Sequence, residues 1–113
     1  MTRTFVHAWK AKRTDETRHV EKVLRKAGFK KVDAYRYNSA SIRLRVIDPR
    51  FEGLSPEQRD GMVEPHLDQL PERTQADIIT LFTFAPSELE QTRKACKESL
   101  LNTEFEEPSP SML

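Results

Sequence analysis

A strong helix start between two strand patterns constrains this chain more than any other feature. Ser41–Ile47 alternates cleanly, with Ile42, Leu44 and Val46 facing one way and Arg43 and Arg45 the other. Ala76–Phe84 (ADIITLFTF) is apolar on both faces, with Ile78, Phe82 and Phe84 on one and Ile79 and Leu81 on the other. Between them stands Ser55-Pro56-Glu57-Gln58: a cap, a proline suited to the first helical position, and a glutamine that can close a capping box. Two strands joined through a helix lie parallel if they share a sheet.

The other elements extend that frame. Thr14 can cap a helix whose first turn holds Asp15 and Glu16, and Val20, Val23, Leu24 and Ala27 form one apolar stripe ending at Gly28. Lys31–Tyr37 reads as a strand, and the link Asn38-Ser39-Ala40 makes a hairpin with Ser41–Ile47. Met62, Val63, Leu67 and Leu70 give the second helix its apolar face. Pro65 is expected to kink or split that helix, and Pro71 to end it. A last helix is expected from about Pro86 or Ser87 to Leu101, with Leu89, Cys96 and Leu100 inward. The order is α-β-β-α-β-α: an α+β fold with a three-stranded mixed sheet packed with helices, of the class II KH-like kind. Residues 14–101 are expected to form the single domain, 1–13 a loosely attached basic arm, and 102–113 a disordered acidic tail.

Composition narrows the function classes. At 113 residues with 36% hydrophobic and 33% charged side chains, the chain suits one small core. It has no apolar run of membrane-spanning length and no signal-peptide stretch, so a cytoplasmic protein is expected. The single cysteine, Cys96, falls on an apolar stripe and reads as a buried inert thiol. His7, His19 and His66 stand on separate elements without metal-ligand spacing. Asp48, Glu52 and Asp60 lie close enough in sequence to bind a cation, but capping and solvation explain them equally, so no metal site is expected. No nucleophile, base and orienting group occur together, which points away from an enzyme.

Net charge is +7 over residues 1–36 and −6 over residues 37–113. The basic end, with Lys30, Lys31, Arg43 and Arg45 beside Tyr35 and Tyr37, gives a second functional reading: a weak nucleic-acid-binding module using a basic–aromatic sheet face. Gly28, Gly53 and Gly61 never make the Gly-x-x-Gly loop with which KH domains clamp a backbone.

The run Asp48-Pro49-Arg50-Phe51-Glu52-Gly53-Leu54-Ser55, then Arg59, Met62-Val63 and Leu67, with Pro86-Ser87-Glu88 after the third strand, resembles the BolA family over roughly residues 17–90. The resemblance implies a non-enzymatic adaptor or regulator, linked to iron–sulfur or redox stress pathways through a protein partner such as a glutaredoxin. It places the partner surface at Phe51, Glu52, Gly53, Arg59 and Asp60, with Arg59 and Asp60 exposed at its centre. Members of the family carry a cluster-ligating histidine directly after the helix-two arginine, and a His or Cys in the first hairpin loop. Here Asp60 and Asn38-Ser39-Ala40-Ser41 occupy those places, so no cofactor is expected. His66, six positions past Asp60, lies about 240° further around the helix and is no substitute.

Overall fold

The alternation of the second strand places the whole molecule, because its two faces collect different partners. The structure, a computed structural model, describes residues 8–89 and 97–111. A short 3-10 turn at Ala8–Lys12 leads into helix α1 (Asp15–Lys26), strands β1 (Lys31–Asn38) and β2 (Ser41–Ile47), and a second 3-10 turn at Pro49–Phe51. Helices α2 (Pro56–Leu67) and α3 (Glu72–Asp77), strand β3 (Ile78–Phe84) and helices α4 (Pro86–Leu89) and α5 (Lys97–Glu106) follow. The sheet order is β1-β2-β3, with β1 antiparallel and β3 parallel to β2, the mixed sheet that the helical crossover requires.

Local chemistry sets the joints. The Thr14 hydroxyl accepts from the Thr17 N–H while the Thr17 hydroxyl accepts from the Thr14 N–H, closing a reciprocal cap. At the other end of α1, Gly28 takes φ = 101°; its N–H reaches the Arg25 carbonyl and that of Phe29 reaches the Leu24 carbonyl. This double closure needs a left-handed residue, which glycine adopts at little cost. In the hairpin, the Asn38 side-chain oxygen accepts from the Ala40 N–H at 2.8 Å.

One sheet face is aliphatic. Val32, Ala34, Ile42, Leu44 and Val46 pack with Val20 and Leu24 of α1, Val63 of α2, and Phe51. The opposite face gathers Tyr35, Ile47, Phe82 and Phe84 under Trp9 and Phe105.

Several expectations are corrected. Trp9 is 2% exposed, so the arm is docked from residue 8 onward, while residues 1–7, His7 among them, lie outside the described chain. Helix α2 runs through Pro65 to Leu67; Gly61, four residues before the proline, and Pro65 itself are both exposed, which lowers the cost of the missing N–H because solvent can replace it. Residues 72–77 form a helical turn instead of the start of the third strand. A bulge at Ile79 shifts the register between Ile42↔Ile78 and Arg43↔Thr80, so Ile78 joins Leu81 on the aliphatic face and Ile79 projects into solvent. The tail expected to be disordered from residue 102 is helical to Glu106, and Phe105 is wholly buried, while Leu100 is exposed. Leu89 packs on the aromatic cluster. The middle of the expected last helix, residues 90–96 with Cys96, lies outside the described residues.

Candidate functional site

The turn between β2 and α2 is built from its two ends inward. Asp48 accepts from the backbone N–H groups of Lys30 and Arg50 and from the Arg50 side chain. Burial alone would raise its pKa, but these donors outweigh burial and hold the carboxyl below its ordinary value. Phe51 is fully buried beside Phe29. Gly53 sits at φ = 75°, a left-handed conformation that a side chain would strain. Ser55 and Gln58 then exchange backbone–side-chain hydrogen bonds and start α2.

Arg59 closes the assembly. It is 6% exposed, and its guanidinium grips both oxygens of Glu88 at 2.8 Å each. It also donates to the carbonyls of Leu54 at 3.0 Å and Thr83 at 3.1 Å. One side chain thus ties the turn, the end of β3 and the start of α4 together. Glu88 in addition accepts from the Ala85 N–H, and Ser87 donates to Glu52 at 2.6 Å. The Arg59 hydrogen bonds, helped by that backbone N–H, depress the Glu88 pKa against the opposing effect of burial. Of the partner surface expected from the sequence, Glu52 and Gly53 are exposed and Asp60 is half-buried. Phe51 and Arg59 belong to the interior, a correction to the placement of Arg59 as an exposed head. Its ion partner is Glu88, 29 positions away, in the Pro86-Ser87-Glu88 run that carried part of the resemblance.

The nucleic-acid face is also corrected. Lys30 and Lys31 are exposed, but the β2 arginines are covered by α5. Arg45 is 2% exposed and paired with Asp33 at 2.6 Å and Glu106 at 2.7 Å, and it donates to Asn102. Arg43 pairs with Glu104 and lies 3.8 Å from the Tyr37 ring centre, and the Tyr35 hydroxyl donates to the Phe105 carbonyl. The acidic residues of the supposed tail hold the charges that a phosphate backbone would have met.

A groove runs along the outer edge of β3. Its first hollow, about 550 Å³, is lined by Asp60, Glu64 and Asp68 on the α2 side and by Ile78–Leu81 below. The second, about 360 Å³, continues over Thr80–Phe84 to Glu98 and Leu101 of α5. Burial, then the nearby Glu64 and Glu57 carboxylates, push the Asp60 pKa up.

A mixed three-stranded sheet with this helix order is a BolA-like α+β fold. The structure resembles the solution structure of the BolA1 protein from Mus musculus, with a TM-score of 0.57 at 18% identity over 100% of this chain and 89% of that one. No protein-family model matches the sequence, and no curated protein matches it. Among the described residues, no helix is long and apolar enough to cross a membrane, and no three His, Cys, Asp or Glu side chains converge as a metal site. Of the residues weighed with Asp60 for a cation, Asp48 has both oxygens engaged by Lys30 and Arg50, and Glu52 has its Oε2 engaged by Ser87. At the two places where the sequence resemblance would put cluster ligands, the donors present do not fit an iron–sulfur cluster. Asp60 is a hard carboxylate among other carboxylates, and the Asn38 oxygen is already bonded to the Ala40 N–H and the Ser41 hydroxyl.

Proposed function

We propose that this chain is a non-enzymatic adaptor of BolA-like fold that binds a protein partner through the turn at 52–54 and the exposed side of α2. The observation behind this reading is the Arg59 clamp: four hydrogen bonds from one buried side chain hold a turn whose outer residues, Glu52 and Gly53, are exposed, with the half-buried Asp60 following Arg59 on α2. A turn held this rigidly meets a partner without an ordering cost. A link to iron–sulfur or redox stress pathways would run through the partner. A glutaredoxin-like protein would have to be held by protein contacts, since Asp60 and residues 38–41 supply no soft donor.

The test is a pull-down from the native lysate comparing the wild type with the Glu52→Lys/Asp60→Lys double variant. The expected outcome is a protein retained by the wild type and lost by the variant, with both melting within a few degrees of each other. Recovery of the same set by both proteins overturns the reading.

A further inference from the structure

We propose that the outer edge of β3, from Ile78 to Leu81, is a docking site for an extended segment of a partner protein that carries lysine or arginine at alternate positions with apolar residues between. This rests on the adaptor reading and names the chemistry of what is bound.

β3 is an edge strand: its parallel partner β2 lies on one side and no described strand lies on the other. The Phe84 carbonyl points inward and accepts from the Asp48 N–H, so the alternation turns the backbone groups of Thr83 and Leu81 outward. Arg59 takes the Thr83 carbonyl, closing the C-terminal end of the edge. Two residues upstream, Leu81 faces the groove. Exposed edges of this kind recruit further strands unless they are blunted by charge or covered. Here the bulge goes the other way and holds Ile79 at 66% exposure beside the edge.

The walls identify the occupant. A strand added beyond β3 would send alternate side chains to opposite sides of the sheet. On one side stands α2 with Asp60, Glu64 and Asp68, every charged residue of that hollow. None of the three forms an ion pair with a described residue. On the other side stand Leu101 of α5, 40% exposed, and Glu98 one helical turn before it. Basic side chains match the three carboxylates of the first wall, and apolar ones match Leu101 on the second, where α5 brings a single carboxylate, Glu98. A second copy of this chain pairing edge to edge would bring two sets of these carboxylates together, and a nucleic acid would be repelled by them.

The experiment is selection of linear ten-residue peptides from a display library against the full chain, followed by an amide-shift titration with an enriched peptide. The expected result is enrichment of alternating basic–apolar sequences whose binding shifts the Ile78–Leu81 amides. Ile79→Lys and Asp60→Asn/Glu64→Gln should each weaken binding at least tenfold without unfolding the protein, since these side chains are exposed or half-exposed. The proposal is overturned by no enrichment, by enriched sequences without that alternation, or by shifts confined to other elements. Sedimentation showing a dimer that Ile79→Lys dissociates also overturns it, because a second copy is then the occupant. If the pull-down partner is lost with Glu52→Lys yet kept by Ile79→Lys, the adaptor reading stands and the edge proposal falls. If peptides bind the edge while no partner depends on Glu52, the edge stands and the turn surface falls.

Discussion

The two faces of the sheet are built on different principles. Under α1 and α2, Val20, Leu24, Ile42, Leu44, Val46 and Val63 are wholly buried, and their cohesion is the non-directional removal of apolar surface from water. Under α5, Trp9, Tyr35, Phe82 and Phe105 surround a charge. The Arg45 guanidinium lies 4.4 Å from the Phe105 ring centre and is held by Asp33, Glu106 and Asn102. An arginine there is tolerable only with its donors paired, because an unpaired buried charge is costly. The first face forgives a change of shape among aliphatics, whereas the second depends on one remote segment arriving with the right acids and ring.

Ending the chain after Leu101 tests that dependence most severely. It removes Phe105, Glu104, Glu106 and Asn102 together, uncovering Trp9 and Tyr35 and leaving Arg45 with Asp33 alone. Deleting a buried phenylalanine alone costs about 3–5 kcal/mol, so the truncated chain should lose about 4 kcal/mol or more, much of an ordinary domain's stability. For comparison, Leu44→Ala on the aliphatic face should cost about 2–5 kcal/mol. Urea midpoints measure both. A truncated chain that unfolds at the wild-type midpoint would show that α5 is no part of the core.

Arg59 sharpens the comparison, because it brings the charged kind of packing to the aliphatic side. An exposed arginine replaced by alanine would change stability by about 0–1 kcal/mol. Here Arg59→Ala removes the guanidinium from Glu88, which is 23% exposed, and the donor from two carbonyls, and should cost about 3 kcal/mol. Arg59→Lys should recover little, since one ammonium cannot span a carboxylate and two carbonyls. The pH dependence has a definite sign. The folded pKa of Glu88 is depressed, so its contribution is present above the unfolded value and is lost as pH falls through the folded one. The gap between wild type and Arg59→Ala should therefore narrow in acid denaturation profiles on the low side of about pH 4. A constant gap from pH 7 to pH 2 would mean that packing, rather than the ion pair, is what Arg59 supplies.

What could be read from the sequence follows the same division. The aliphatic face was legible because its signals are local: alternation in Ile42–Val46, the 3-4 spacing of Val20, Val23, Leu24 and Ala27, and the caps at Thr14 and Ser55. Arg43 and Arg45 alternate just as regularly, and a strand with one polar face ordinarily turns that face to water. Their cover comes about 60 residues later, from a helix in a stretch whose acids and prolines resemble a disordered tail. Arg59 was misplaced for a related reason. Its ion partner is 29 residues away, so no spacing announces it. The bulge at Ile79 escaped too, because a run that is apolar on both faces carries no alternation from which a shifted register can be read.

The smallest expected effect separates the two kinds of carboxylate that flank α2. Glu88 is stabilised as an anion by Arg59; Asp60, nearly beside that arginine in sequence, is half-buried among Glu57 and Glu64 and has its pKa raised. The sign reverses accordingly. A raised folded pKa contributes stability that is full below the unfolded value and is lost as pH rises through the folded one, so ionised Asp60 burdens the fold at neutral pH. Asp60→Asn keeps the shape and removes the charge. It should stabilise the protein by about 0.5 kcal/mol at pH 7 and leave it unchanged at pH 3, where the wild-type carboxyl is largely protonated. Thermal melts of both proteins at the two pH values measure it. Destabilisation at pH 7 would mean that Asp60 has a cation partner already, and the groove along β3 would then lack the uncompensated charge that makes it a site for basic segments. With stabilisation observed, a bound basic peptide should act in the opposite direction from the surrounding carboxylates and lower the Asp60 pKa, which a carboxyl-carbon NMR titration with and without peptide reads directly.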